Sequence, residues 1–264
     1  DRHITKIVDF INAKDCFPQN SIGDGVNYFL WERDRTSDCE ITTVRGTTKS
    51  TATRRLDEFP VFVRYNEAVS VIHKIESQSK SYLDTKVSSR NPFGYPTSYR
   101  GTAHLDNGDE LALYSSDGIS YVGANTLERG RDMLNSYKIM ISRIIYEHAC
   151  EPDKDGKMSV LSRVDILNPG EVCTDSYLVI APFETEQEAL QMQAYLKSKF
   201  ARFLIAQTLS SINLSKEKFS LVPMVSCPAD NIDEYLYKLF SLSNEEIDFV
   251  ESFIHEMPQE SADE

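Results

Sequence analysis

The sequence lacks the patterns that identify membrane, secreted or zinc-binding proteins. Its 264 residues contain no apolar run near the roughly 18 residues that a membrane-spanning helix needs, and no signal-peptide pattern opens the chain. The five cysteines are scattered, odd in number, and never form a C-x-x-C pair. This spacing argues against a disulfide framework and a structural zinc site, and it favours a reducing compartment. We therefore expect a cytoplasmic globular protein without membrane contact.

Complete catalytic motifs are also missing. The five histidines show neither H-E-x-x-H nor another metal-ligand spacing, and there is no G-x-S-x-G serine or Gly-rich phosphate loop. Residues 91–95 (Asn-Pro-Phe-Gly-Tyr) are similar to the Asn-Pro-Pro-Tyr motif that grips a flipped adenine, but they lack its second proline and its stacking aromatic residue. The sequence thus predicts no catalytic residue and no metal site.

Positive charge is scarce and unevenly distributed. Residues 1–150 contain 19 basic and 20 acidic side chains, whereas residues 151–264 contain 9 and 21, so the second half holds almost all of the net charge of −13. Two windows of the first half contain no acid, one between Glu40 and Asp57 and one between Asp84 and Asp106. A nucleic-acid partner needs only such a local basic surface, although solvated loops have the same composition.

Hydrophobic periodicity predicts an α+β fold. Strands are predicted at residues 4–10, 26–31, 39–44, 138–143 and 177–180. The run at 26–31 is almost continuously apolar, which is typical of a strand buried on both faces. Amphipathic scaffold helices are predicted at residues 66–79, 184–206 and 243–257, the last two opening with capping boxes.

Seven short segments also form an ordered set along the chain. They are IVDF (7–10), AKDCFP (13–18), GVNYFLW (25–31), LDEF (56–59), VSSRNPFG (87–94), CTDSYLV (173–179) and KFARFL (199–204). Together they resemble the carboxy-terminal part of bacterial restriction–modification DNA methyltransferases that modify adenine at its exocyclic nitrogen. The resemblance covers nearly the whole chain and depends on order and spacing rather than on one motif.

The resemblance implies that this chain is part of a longer enzyme. In the family, the glycine-bearing motif for S-adenosylmethionine and the Asn-Pro-Pro-Tyr motif both lie upstream of the segment resembled here. S-adenosylmethionine would then be the cofactor of the parent enzyme, and this chain would bind no cofactor and be inactive alone. The implied partners are double-stranded DNA and the upstream catalytic part of the same polypeptide.

The resemblance also implies a division into four parts. Residues 1–58 would be the last strands of a doubly wound methyltransferase sheet, and residues 59–81 a connecting helix. Residues 82–230 would form a mixed α/β target-recognition domain similar to half of a restriction specificity subunit, closed by a strand at 219–224. Residues 231–264 would be a helical extension.

The predicted DNA contacts lie mainly in the second acid-free window. Arginine reads guanine, asparagine reads adenine, and hydroxyl groups hold phosphates. Residues 86–100 supply all three side-chain types on a loop that two prolines could stiffen. The predicted contacts in this loop are Lys86, Ser88, Ser89, Arg90, Asn91, Tyr95, Thr97, Tyr99 and Arg100. Because relatives that should read other sequences share part of it, its residues could instead build the fold or hold backbone phosphate.

Two further pairs of residues are candidate DNA contacts. Ser142 and Arg143 end a predicted strand, where a buried salt bridge is the alternative role for the arginine. Arg54 and Arg55 could contact phosphate or simply be solvated between domains.

Three functions remain open on the sequence. The first is the DNA-recognition module of a type II restriction–modification adenine-N6 methyltransferase, with or without a linked endonuclease. The second is an enzyme in its own right, and the third is a protein-interaction module with an acidic helical surface and no DNA contact. Duplex binding that weakens with added salt distinguishes the first from the third.

Overall fold

The described part of the chain combines three small β-sheets with five α-helices, which confirms the predicted α+β class. The structure is a computed structural model that describes residues 2–20, 22, 25–104, 110–145, 152–228 and 230–257. The end of the predicted extension, from residue 258 onward, lies outside these ranges. Among the described residues no helix is long and apolar enough to cross a membrane.

The first sheet contains the strands nearest the start of the chain. They are β1 (Ile4–Phe10), β2 (Val26–Trp31), β3 (Cys39–Arg45) and β4 (Thr48–Arg54). Their order is β2-β1-β3-β4, with β1 and β3 parallel and the other two pairs antiparallel. The three predicted strands are confirmed. The sequence did not indicate β4 because its seven residues are mainly small and polar.

The prediction that residues 26–31 form a buried strand is wrong in its burial. Strand β2 forms, but it lies at the edge of the described sheet and pairs only with β1. Tyr28, Phe29, Leu30 and Trp31 are between 47% and 59% exposed. Successive side chains of a strand point to opposite faces, so both faces of β2 are only about half covered within the described residues.

Helix α1 (Asn66–Gln78) confirms the predicted helix near residues 66–79. The four apolar residues that the 3.6-residue period places on one face are all buried: Ala68, Val71, Ile72 and Ile75. Asparagine is a favoured N-cap residue, but here Tyr65 occupies the N-cap position and Asn66 is the first residue of the helix. The Asn66 amide instead donates to the carbonyl oxygens of Ile41 and Ser50, both at 3.1 Å. This amide ties the start of the helix to the first sheet.

The middle of the chain forms six short strands among the described residues, and two of them, β7 and β10, confirm the strands predicted at residues 138–143 and 177–180. They are β5 (Glu110–Ser115), β6 (Gly118–Gly123), β7 (Tyr137–Ser142), β8 (Val164–Leu167), β9 (Glu171–Cys173) and β10 (Tyr177–Phe183). Strands β10-β7-β8 make an antiparallel sheet, and β6-β5-β9 make a mixed one.

The sheet β10-β7-β8 lies between two hydrophobic clusters. Ile139 and Ile141 of β7 belong to the large cluster that includes the helices. Met140, which points to the opposite face, belongs to the smaller cluster formed with β5 and β9. Because both faces of this sheet are covered, most of its side chains are buried.

The predicted helix at 184–206 is two helices, α2 (Glu186–Lys197) and α3 (Lys199–Thr208). Ser198 separates them with an extended ψ of 151°, and its side chain accepts a hydrogen bond from the Ala201 N–H at the start of α3. The apolar period continues through this point, so the sequence pattern did not reveal the break. Serine at an N-cap satisfies a backbone donor that would otherwise lack a partner.

The last helices are α4 (Ile232–Leu239) and α5 (Asn244–Phe253). The predicted capping box of Ser243 and Glu246 is present in α5, which ends earlier than the predicted residue 257. The predicted closing strand at 219–224 is wrong, because a 3-10 turn at Lys216–Phe219 is followed by irregular chain. Within that segment Pro223 forms an isolated bridge with Tyr82.

Lys138, at the start of β7, is a fully buried cation. Its Nζ donates to four backbone carbonyl oxygens, those of Met133 and Leu134 at 3.3 Å, Ser136 at 2.7 Å and Asn168 at 3.1 Å. Burial disfavours the charged form and lowers the pKa of Lys138 to about 8. At pH values above about 8, the unfolded chain, in which Lys138 has an ordinary lysine pKa, therefore binds more protons than the folded chain.

This difference predicts that the folded state gains stability as pH rises from about 8 toward the ordinary lysine pKa. Between pH ~7.5 and ~10 the free energy of unfolding of the wild type should rise by about 2 kcal/mol relative to that of Lys138→Met, which cannot titrate. Urea denaturation of both proteins at several pH values measures the difference. Parallel pH profiles for the two proteins would show that the Lys138 pKa is not lowered in the folded state.

Candidate nucleic-acid interface

Three residues that were predicted to contact DNA meet on one carboxylate at the end of the sheet β10-β7-β8. Arg90 Nη2 lies 2.6 Å and Arg143 Nη1 lies 3.2 Å from Asp175 Oδ2. The Asn91 N–H donates to Asp175 Oδ1 at 2.7 Å. Arg143 Nη1 also donates to the backbone carbonyl of Asp175 at 2.7 Å. We call Arg90, Asn91, Arg143 and Asp175 the Asp175 cluster.

A short turn between β9 and β10 places Asp175. The Tyr177 N–H donates to the Thr174 carbonyl at 3.1 Å, which closes the turn, and the Asp175 N–H donates to the Tyr95 carbonyl at 2.8 Å. On the other side, the Arg143 N–H donates to the Ser176 carbonyl at 2.9 Å. Backbone bonds from three parts of the chain thus hold the carboxylate before any side chain pairs with it.

The cluster has a net positive charge. Burial of Asp175 acts to raise its pKa, but the hydrogen bonds from Arg90 and Asn91 and the charge of Arg143 together lower it below the ordinary value. The carboxylate is therefore ionised near neutral pH, and two arginines against one aspartate leave one positive charge. The Arg90 side chain is 68% exposed, whereas that of Arg143 is 14% exposed. Arg90 is thus the member that faces solvent.

Backbone strain and unpaired polar atoms gather at the same place. Asn91 has a φ of 56°, in the left-handed region that residues other than glycine seldom adopt. Of the six buried side-chain polar atoms that lack a hydrogen-bond partner in the described residues, three lie here: Asn91 Oδ1, Arg143 Nε and Ser176 Oγ. Such features are uncommon in a structural core and concentrate at functional sites.

Arg100 has a different environment from Arg90. Its Nε donates to Asp117 Oδ2 at 2.6 Å, its Nη1 donates to the carbonyls of Thr97 and Tyr99 at 2.8 Å, and its Nη2 donates to Ser116 Oγ at 3.3 Å. Ser116 and Asp117 form the tip of the β5–β6 hairpin. Four of the five guanidinium N–H groups are occupied, so Arg100 fastens the loop to this hairpin.

Other predicted contacts in the loop serve the core. Tyr95 is buried, its hydroxyl lies 2.8 Å from Thr126 Oγ1, and its ring centroid lies 4.9 Å from that of Tyr99. Ser88 Oγ accepts from the Val179 N–H at 2.9 Å, which joins the loop to β10. The hydroxyl groups of Tyr95 and Ser88 therefore already have partners within the protein. By contrast, Lys86, Ser89 and Thr97 are exposed.

The remaining predicted residues are divided between two sheets. Ser142 lies beside Arg143, and its hydroxyl donates to the Ile144 carbonyl at 2.8 Å. Arg54, on β4 of the first sheet, is buried and bonds Asn66, Glu58 and the Val63 carbonyl. Arg55 is exposed and paired with Asp57 at 2.9 Å. Arg54 thus has a structural role, and the structure joins neither arginine to the Asp175 cluster.

Sequence reasoning missed the residue that organises this surface. Asp175 lies in the CTDSYLV segment, but no local pattern shows that it meets Arg90. Arg163 was also missed. Cross-strand pairing places it beside Ser142, where it pairs with Asp165 and its Cζ lies 5.8 Å from the centroid of the Tyr177 ring. Only strand register reveals these neighbours.

Comparison with known proteins does not identify the chain. No protein-family model matches it, and no curated protein matches it. Among solved structures it is similar to the type IIG restriction endonuclease BpuSI, with 10% sequence identity and a TM-score of 0.35. The match covers 95% of this chain and 39% of that one, so this chain spans about two fifths of the length of the endonuclease. At this TM-score the similarity does not establish a common fold, and we transfer no residue role from it.

The contacts of Arg100 predict a stability role. Arg100→Ala should lower the free energy of unfolding by about 1 kcal/mol, because the hairpin tip loses its charged partner and the loop carbonyls lose a donor. Urea denaturation measures this loss, with Arg129→Ala on another exposed loop arginine as the control. An equal, near-zero effect for both variants would show that the Arg100 contacts add nothing to stability.

Proposed function

We propose that this chain is the DNA-recognition part of a type II restriction–modification adenine-N6 methyltransferase and that it contacts duplex DNA through the Asp175 cluster. The observation that carries the proposal is the meeting of Arg90 and Arg143 on Asp175. This surface keeps one positive charge in a chain whose net charge is −13. A duplex needs such local compensation to approach a strongly acidic protein.

The geometry of Arg90 suits a phosphate contact. One Nη2 bond goes to Asp175, and the side chain is otherwise mainly exposed, so other N–H groups of the guanidinium remain for phosphate oxygens. Arginine binds phosphate through two parallel donors, which fixes direction as well as distance. Lys86 and the hydroxyl of Ser89 are exposed on the same loop and would add further backbone contacts. Asn91 Oδ1 is buried, so Asn91 is a poor reader of adenine.

Strand β2 supports the second part of the proposal, which concerns the catalytic part of the polypeptide. Its four large apolar side chains are exposed on both faces, and its outer edge pairs with no described strand. A strand that is apolar on both faces belongs inside a sheet that is covered on both sides. We propose that the catalytic part extends the sheet at this edge and binds S-adenosylmethionine. Residues 1–58 would then complete the catalytic sheet, and residues 82–230 would form the recognition domain.

The DNA proposal predicts the salt dependence of binding. Arg90→Ala should weaken binding to a fluorescein-labelled mixed-sequence duplex and flatten the plot of log K against log salt by about one unit, because one phosphate contact is lost. Fluorescence anisotropy between about 50 and about 200 mM salt measures both quantities. Arg100→Ala is the matched control from the same loop and should leave the slope unchanged.

The controls separate the alternatives. If the wild type does not bind the duplex at the lowest salt, or if Arg90→Ala binds like the wild type, the DNA contact is not at this cluster. Absence of duplex binding would favour the protein-interaction module. If only Arg100→Ala flattened the salt slope, the DNA contact would lie at the β5–β6 hairpin instead.

The β2 proposal predicts the environment of Trp31, the single tryptophan of this chain. In this chain alone, acrylamide should readily quench its fluorescence, because the side chain is about half exposed. In the parent enzyme, with any other tryptophan replaced by phenylalanine, quenching should fall sharply because the added sheet covers the strand. Equal quenching in both proteins would show that the catalytic part does not cover β2.

A further inference from the structure

Asp175 is an unexpected residue for a surface that holds DNA. A carboxylate near the phosphate backbone repels it, and repulsion of this kind lowers affinity by charge alone. Asp175 is nevertheless at the centre of the cluster, with both of its oxygens occupied by donors from the protein. Its presence therefore needs an explanation other than its charge.

We propose that Asp175 is a positioning residue, which fixes the guanidinium of Arg90 in the orientation that grips a DNA phosphate. This inference rests on the proposed function, and it identifies Asp175 as the residue that sets the orientation of Arg90. Arg90 makes the contact, and Asp175 acts only through Arg90.

The two oxygens of the Asp175 carboxylate hold different parts of the loop. Oδ1 accepts from the Asn91 N–H, which fixes the backbone of the residue after Arg90 in its left-handed conformation. Oδ2 accepts from Arg90 Nη2 at 2.6 Å, which fixes the far end of the same side chain. An exposed arginine otherwise samples many rotamers. The conformational entropy that it loses on binding lowers the affinity. Holding both ends of Arg90 before DNA arrives removes part of this cost.

Arg143 makes the arrangement electrostatically possible. Its Nη1 bonds both the side chain and the backbone carbonyl of Asp175, and its own side chain is mostly buried. The charge of Arg143 offsets that of Asp175, so the charge of Arg90 remains uncompensated at the surface. Without Arg143 the pair of Arg90 and Asp175 would be neutral and would attract a phosphate weakly.

Asp175→Asn distinguishes positioning from charge by the sign of its effect. The amide keeps an oxygen for the Asn91 N–H but loses the charge that holds Arg90. If charge alone mattered, removal of a negative group would tighten DNA binding. If Asp175 positions Arg90, binding to the mixed-sequence duplex should weaken by about tenfold, as expected for the loss of one charge-assisted hydrogen bond.

Asp165→Asn is the matched control. Asp165 pairs with Arg163 at the same end of the sheet, and its replacement by asparagine changes the net charge by the same amount. This variant should bind the duplex as tightly as the wild type or more tightly. If Asp175→Asn behaves like Asp165→Asn while Arg90→Ala still weakens binding, the positioning role is wrong and the proposed function stands. If Arg90→Ala also binds like the wild type, the proposed function itself fails.

Arg90→Lys tests the inference without altering the buried carboxylate. The side chain is 68% exposed, so the variant should fold normally, and thermal unfolding checks this. Lysine keeps the charge but cannot present a rigid fork of donors. Binding should be weaker than in the wild type but stronger than in Arg90→Ala, while the salt slope should stay close to that of the wild type. Wild-type affinity for Arg90→Lys would overturn the positioning role even if Asp175→Asn did not fold.

Discussion

The antiparallel pairing of β7 with β10 is the constraint on which most of the described structure depends. Alternate residues of these strands enter the two hydrophobic clusters, so the pair lies between the helices and the small sheet β6-β5-β9. The same register sets the end of the pair, where Ser142 is opposite Tyr177. Arg143 lies one residue after β7 and Asp175 lies two residues before β10, so this register brings the two side chains together. The candidate interface is therefore a consequence of how the core packs.

Ion pairs between distant residues, rather than local composition, determine where net positive charge remains on this loop. The window from residue 86 to residue 100 contains no acid, yet Asp175 pairs with Arg90 and Asp117 pairs with Arg100. The two arginines differ in outcome because Asp117 faces one arginine, whereas Asp175 faces two. Of these two ion-paired sites, only the one at Asp175 keeps a net positive charge.

Several carboxylates in the acidic second half of the chain have structural roles. Glu246 closes the capping box of α5 and also pairs with Lys74 at 2.6 Å, which joins α5 to α1. Asp233 accepts from the N–H groups of Lys199 and Phe200 and so satisfies donors at the start of α3. Glu251 pairs with Lys199 and accepts from the Tyr237 hydroxyl. These contacts give acidic side chains a role in the helical layer that requires no partner molecule.

The sequence by itself determined the features that depend on neighbours along the chain. The apolar face of α1, the capping box at Ser243 and the strands β1, β3, β7 and β10 follow from residue period and short-range hydrogen bonding, which act within a few residues. Only the tertiary structure decided that β2 is exposed, that Arg54 is buried and that Arg90 meets Arg143 on Asp175. Each of these depends on which distant segment lies alongside, and a local pattern carries no information about that. The candidate site belongs to this second group because Asp175, which lies on a remote turn, holds Arg90 and Arg143 together and offsets one of their two charges.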